Sequence, residues 1–348
     1  MRLERREATP WALTAVAPLL AVLLVAALGS ALILWSGAPV LASYAKLVKG
    51  AFGSRFALTE TLARATPLIF TGLAAATAFR ARLWNIGGEG QFYLGALTAA
   101  ALGASTLALP AWAMIPLVLS AGAVAGAALL LGPVVLKIRF SVDEVVTTLL
   151  LNFVVILFVS MMIEGPLKDP QAFGWPQSAS VQASAVLPKV VARSRLHLGF
   201  PLALMAALLL TALDVRGVWG LESRAVGHNR QAARFAGIAV DAVVVRVALI
   251  SGALAGLAGA VEVTGLKGYL TLDLSPGFGY SGIVVAMLAQ LHPLGVVAAA
   301  ILVAGVFVGA DAMGRGSGVP SFIADVMVAA ALLAMLLAIL VAQYRMRR

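Results

Sequence analysis

Cysteine is absent from the 348 residues of this chain. That excludes a disulfide framework, a thiolate metal site and a cysteine nucleophile. Charge is scarce, at 11% of residues, and the acidic sign is the scarcer: 15 Asp and Glu against 25 Lys and Arg. The three histidines, His197, His228 and His292, are too far apart in sequence to mark a metal cluster. There is no Gly-x-x-x-x-Gly-Lys-Ser/Thr loop, no His-Glu-x-x-His and no Gly-x-Ser-x-Gly elbow, so catalysis by this chain finds no support in its motifs. The formal charge of +10 is spread in short clusters between apolar runs. That pattern is a membrane topology signal, not the basic face of a nucleic-acid binder.

What the chain has in excess is apolar surface: 61% of its residues are hydrophobic and its mean hydropathy is +1.00. A soluble domain is about half apolar and about a quarter charged. Residues 1–348 therefore read as one polytopic integral membrane domain, an all-α helical bundle. Arg2, Arg5 and Arg6 precede an apolar run from Trp11 to Trp35, which is longer than the core of a signal peptide. It reads as a retained first membrane helix with a tryptophan anchor near each end. At about 20 residues per span, segments are expected near 12–35, 58–79, 88–108, 112–136, 144–163, 198–213, 240–263, 281–291, 294–312 and 321–342. That makes about ten membrane segments, with 281–291 too short to cross comfortably. Lys and Arg favour the connections on the side of the N-terminus, which puts both termini in the cytoplasm.

Asn85-Ile86-Gly87-Gly88-Glu89-Gly90-Gln91 interrupts this pattern, directly after Arg80, Arg82 and Trp84. A carboxylate at membrane depth is costly unless it faces protein or water. A glycine-broken helix start is tolerated where it lines a cavity. Asn85, Glu89 and Gln91 thus border a translocation path or form a polar latch between helices. Glu144, Thr148 and Asn152, spaced i, i+4, i+8, share one helix face, turned either to a conduit or to hydrogen bonds with neighbouring helices. Phe92, Tyr93 and Phe153 offer aromatic surfaces nearby.

Two connections stand out. The outer one, 164–197, carries Gly165–Pro170 and Trp175-Pro176, which fix turns and suit a connector or a docking surface. The inner one, 214–237, reads as two short helical pieces about a Gly227-His228-Asn229 turn, with Arg224, Arg230 and Arg234 among small residues. Its composition alone suits a segment lying on anionic lipid as well as a docking element.

The stretch Phe79-Arg80-Ala81-Arg82-Leu83-Trp84 leading into Asn85–Gln91 closely resembles the signature of bacterial ABC-importer permeases of the ribose/branched-chain amino acid superfamily, nearest the nucleoside-uptake branch. Four further blocks agree in order: Ser141–Asn152, Gly165–Pro170, Arg224–Gly237 and Gly309–Met313. The resemblance implies an ABC importer permease fold in the bacterial cytoplasmic (inner) membrane, importing nucleosides, purine nucleosides first among them. It implies no ATPase activity and no cofactor in this chain, with ATP and Mg bound by partner subunits. The implied partners are a homologous second permease chain in a heterodimer, an ABC ATPase subunit with two nucleotide-binding domains and an extracytoplasmic substrate-binding protein. It makes 214–237 a cytoplasmic coupling loop, with Arg224, Ala225, Gly227, His228, Asn229, Ala233 and Gly237 meeting the ATPase, and 164–197 an extracytoplasmic loop. The substrate pathway then includes Asn85, Glu89, Gln91, Phe92, Thr148 and Asn152. The alternatives are a permease for a simple sugar such as ribose or another small polar solute, and an ATP-independent secondary transporter. The last should show matched broken helices in paired repeats; Gly87–Gly90 is one clear break and Gly277–Gly282 a weaker one.

Overall fold

The computed structural model describes residues 2–5, 11–317 and 344–347 and single positions between 320 and 337, with side chains described between residues 23 and 337. The chain divides into two compact units, 1–61 with 301–348, and 62–300.

In the first unit, α1 (Trp11–Trp35) and α2 (Val40–Phe52) form a pair bent by 116°. The bend falls at Gly37, whose φ of 77° only glycine adopts freely, followed by Pro39 as N-cap. Tyr44 of α2 closes the angle, its hydroxyl donating to the Ala26 carbonyl at 2.7 Å. The ends of the chain join in a four-residue antiparallel pair, β1 (Arg2–Arg5) with β2 (Tyr344–Arg347). Apart from that pair, the regular elements among the described residues are helical, in line with a membrane bundle.

The second unit takes in most of α3 (Arg55–Arg80), then α4 (Gly88–Gly103), α5 (Ala111–Phe140), α6 (Glu144–Glu164), α7 (Gly199–Arg216), α8 (Val218–His228) and α9 (Arg230–Phe235). After these come α10 (Val240–Glu262), running on as a π-helical turn Val263–Lys267, then α11 (Phe278–Leu288) and the start of α12 (Pro293–Ser317). Its centre is a seam of glycines. Gly95 of α4, Gly122 and Gly126 of α5, and Gly252, Gly256 and Gly259 of α10 bring the three backbones into direct contact, and at each a Cβ would overlap an atom of the facing helix. Two of these pairs have the small-xxx-small spacing that lets membrane helices approach closely without a hydrophobic driving force. The 164–197 connection is laid over one end of this seam: Gln182 N–H donates to the Gly103 carbonyl at 2.8 Å, Val181 to Gly268 at 2.8 Å and Leu187 to Thr264 at 2.9 Å.

Among the described residues six helices are long and apolar enough to cross a membrane, or seven if the bent pair counts as one span. The expected number was about ten. The segment expected at 88–108 stops at Gly103, because the apolar run ends in a turn from Ala104, leaving a 16-residue helix. The segment expected at 281–291 is the 11-residue α11. The one expected at 321–342 lies mostly outside the described residues.

Candidate translocation and coupling sites

Beyond α3 the chain turns at Arg82 (φ 50°) and runs without helical hydrogen bonds to the first turn of α4. Buried backbone donors in such a break need partners from elsewhere. The polar face of α6 supplies them. Glu144 Oε1 accepts from Trp84 N–H at 3.3 Å, Thr148 Oγ1 from Ile86 N–H at 3.2 Å and Asn152 Oδ1 from Gly90 N–H at 2.8 Å. Asn152 Nδ2 also donates to the Ile86 carbonyl at 3.0 Å. The i, i+4, i+8 stripe is thus a ladder holding the broken strand of backbone, with Glu144 anchored in turn by an ion pair to Lys137.

Inside the break, Asn85 and Gln91 exchange two amide hydrogen bonds, each of 2.9 Å. Asn85 Nδ2 reaches Ser251 of α10 at 3.0 Å, and Ser251 donates to the Ala74 carbonyl of α3 at 2.8 Å. Asn85, Gln91, Thr148 and Asn152 are all buried, as is Phe92, whose ring lies 5.9 Å from that of Phe278. Glu89 points elsewhere: its Oε2 accepts from Gly279 N–H at 2.6 Å, in the first turn of α11. Gly277, with φ 85°, begins that helix, and Ser275 Oγ accepts from Phe278 N–H at 2.8 Å. The two glycine breaks, far apart in sequence, therefore meet, and the positive ends of two helices share one carboxylate. Tyr280, 39% exposed, carries the network outward, its hydroxyl accepting from Asn152 Nδ2 at 3.1 Å.

In the 214–237 connection, α8 and α9 are separated at Asn229, whose side chain caps α9 by accepting from Gln231 and Ala232 N–H at 2.9 and 3.1 Å. Gly227 faces its own chain: it is pressed onto the Arg80 carbonyl, where no Cβ fits. Arg224 is also turned inward, 2.9 Å from Asp214, which pairs with Arg80 as well. Ala233 is buried and Ala225 half-buried, while His228, Asn229 and Gly237 are exposed. A cleft of about 750 Å³ opens between the α3–α4 break, the α5–α6 turn and Gly227–Arg230.

Several residues escaped the sequence reading. Ser251 and Tyr280 complete the polar network. Phe235, 95% exposed at the end of α9, is an apolar side chain with nothing covering it, and Phe173 stands out likewise on the 164–197 connection, near the exposed Trp175 that the sequence already marks. Glu262 is buried in α10, with Arg64, Arg195 and Lys267 acting on it electrostatically. It was legible as a lone carboxylate in an apolar run.

Compared with known proteins, residues 57–341 match the family described as the permease component of the branched-chain amino acid transport system. The chain is 39% identical to the guanosine ABC transporter permease protein NupP of Bacillus subtilis, covering 90% of both chains. It is 32% identical to a glucose ABC transporter permease protein of Haloferax volcanii, covering 99% of this chain and 93% of that one. It is 30% identical to the nucleoside ABC transporter permease protein NupB of Lactococcus lactis, covering 90% and 88%. In each of the first and last organisms a second permease protein of the same stated substrate, NupQ or NupC, also matches. No solved structure matches.

Proposed function

This chain belongs to the permease-component family of the branched-chain amino acid transport system, and from that premise we propose that it is one of two homologous subunits forming the passage of an ATP-driven nucleoside importer. The observation that carries the substrate is the 39% identity to a guanosine permease over 90% of both chains. The paired relatives NupP with NupQ and NupB with NupC support a heterodimer. ATP and Mg bind to partner subunits, an ABC ATPase with two nucleotide-binding domains, and an extracytoplasmic binding protein delivers the solute. The chain sits in the bacterial inner membrane with both termini in the cytoplasm.

Tyr280 fronts the passage, and Glu89, buried behind it, joins the two helix starts that converge there. Asn85, Gln91, Thr148 and Asn152 hold those starts in register, and Phe92 backs them against α11. The α8–α9 connection is the coupling element: Gly227, Arg224 and Ala233 clamp it to the end of α3, so that His228, Asn229 and Phe235 are presented to the ATPase. A push there is passed through Arg224, Asp214 and Arg80 to the helix that leads into the polar break. Phe173 and Trp175 offer the binding protein an apolar foothold.

The glucose permease relative favours a sugar as the second reading. Uptake of labelled guanosine, glucose and leucine by proteoliposomes holding the complete complex separates them. Guanosine uptake that needs ATP is expected; glucose uptake without guanosine uptake would overturn the nucleoside assignment.

A further inference from the structure

The cleft beside the coupling turn has a chemical character that the importer reading does not use. Its volume of about 750 Å³ lies in the range of small-molecule sites, about 300–1,000 Å³. Its carboxylates are already engaged: Glu144 by Lys137 and the Trp84 N–H, Asp143 by the Val145 N–H at 2.8 Å. Its cations are freer. Among the described residues no carboxylate pairs with Arg82 or Arg230, and the Arg230 guanidinium contacts only the Arg82 carbonyl, at 3.3 Å. Two guanidinium groups on one rim, with His228 beside them, suit the planar, forked recognition of a phosphate. The same cleft is walled by Trp84, 44% exposed and steadied by the Phe79 ring at 4.8 Å. An exposed indole next to guanidinium groups is the combination on which a nucleobase stacks.

We propose that this cleft binds a purine nucleoside 5′-monophosphate, the base on Trp84 and the phosphate on Arg82 and Arg230. The class of reaction that supplies this ligand is phosphorylation of the imported nucleoside by a kinase. Because one wall is the Gly227–Arg230 turn, occupancy wedges the coupling element and slows import as the phosphorylated product accumulates. The choice of ligand rests on the nucleoside reading above, and the cytoplasmic placement on the family topology.

The test uses the full chain in phosphatidylcholine nanodiscs, titrated calorimetrically with guanosine 5′-monophosphate, guanosine and orthophosphate. The monophosphate is expected to bind at least about tenfold more tightly than either fragment, and Arg82→Gln and Trp84→Leu each to weaken it about tenfold or more at unchanged melting temperature. Arg82→Lys, which keeps the charge but not the fork, should recover part of the affinity. No binding at millimolar monophosphate, orthophosphate binding as tightly, or affinity indifferent to both Arg82 and Trp84 would each overturn the assignment. So would displacement of the monophosphate when phosphatidylglycerol is added to the nanodiscs, which would make a lipid headgroup the occupant. In proteoliposomes of the whole complex, monophosphate sealed on the cytoplasmic side should reduce guanosine uptake, and Arg82→Gln should remove that reduction. Guanosine uptake indifferent to internal monophosphate defeats the feedback site and leaves the importer standing. Binding that depends on Arg82, in a complex that carries glucose instead, upholds the cleft and defeats only the substrate reading.

Discussion

Asn152 offers the sharpest separation of scaffold from passage. Its side chain serves the Gly90 N–H at 2.8 Å, the Ile86 carbonyl at 3.0 Å and the Tyr280 hydroxyl at 3.1 Å. Asn152→Leu keeps the branched shape and strands two backbone groups, the buried Gly90 N–H and the partly buried Ile86 carbonyl. An orphaned buried donor or acceptor costs about 1–3 kcal/mol, so the pair costs about 2–5 kcal/mol after the leucine's small apolar gain. Tyr280→Phe is the companion change. It removes the outward contact and leaves the backbone ladder intact, for a loss of about 1 kcal/mol or less. Thermal unfolding of the purified complex, followed with uptake normalised to folded molecules, reads both. The leucine variant should melt several degrees lower, with per-molecule turnover changed less than stability; the phenylalanine variant should melt near wild type. A leucine variant that keeps its melting temperature while losing transport would refute the ladder and make Asn152 a pathway residue.

Other expectations follow from single features. Gly256→Ala places a methyl group on the Gly122 carbonyl and should abolish the monodisperse folded fraction in size-exclusion chromatography, whereas Gly132→Ala, with nothing near it, should leave the yield unchanged. Phe235→Ser should uncouple import, lowering ATP-driven uptake about fivefold or more at normal membrane yield, if its exposed ring anchors the ATPase as interface aromatics do. Burial, then the nearby Lys189 charge, pushes the His197 ring down to about 4 from the ordinary value near 6.5. The unfolded chain therefore binds the extra proton between those values, so stability is flat above pH 6.5 and falls as pH drops towards 4, by roughly 3 kcal/mol in all. Melting temperature against pH should show that slope, and His197→Leu should remove it.

The sequence made the long apolar helices α5, α6 and α12 plain, because nothing competes with a run of that length. It made the Asn85–Gln91 break plain because polar side chains and glycines have no ordinary reason to sit there. The single face of Glu144, Thr148 and Asn152 followed from helical spacing, but its target did not: the partners are backbone N–H groups of a distant segment, which carry no residue signature. α2 was missed because Lys46 and Lys49 interrupt its apolar positions, and α4 was overextended because Leu107, Ala108 and Leu109 resume an apolar run just past the turn at Ala104-Ser105-Thr106. The Arg80–Asp214–Arg224 cluster was hidden for another reason. Arginines near membrane helices carry a topology signal, the resemblance assigns Arg224 to a partner ATPase, and a pairing within the chain depends on tertiary packing. Gly227 was expected to meet a partner groove; its own α3 carbonyl occupies that space.

The glycine seam of α4, α5 and α10 has a consequence for motion. Side chains can swing or swap rotamers when helices slide, but bare backbones in contact have nothing to rearrange, and any shear drives peptide into peptide. These three helices are a weld, and a transport cycle must pivot around them, through α3, α6 and α11, whose links to the weld include exchangeable hydrogen bonds from Ser251, Asn152 and Glu89 and, for α11, backbone contact confined to Gly279 at the start of α4. Spin labels on α4 and α10 should keep one separation through the whole ATP cycle, while labels on α11 and α6 change theirs; and since the chain has no cysteine of its own, each such pair can be installed without removing anything first.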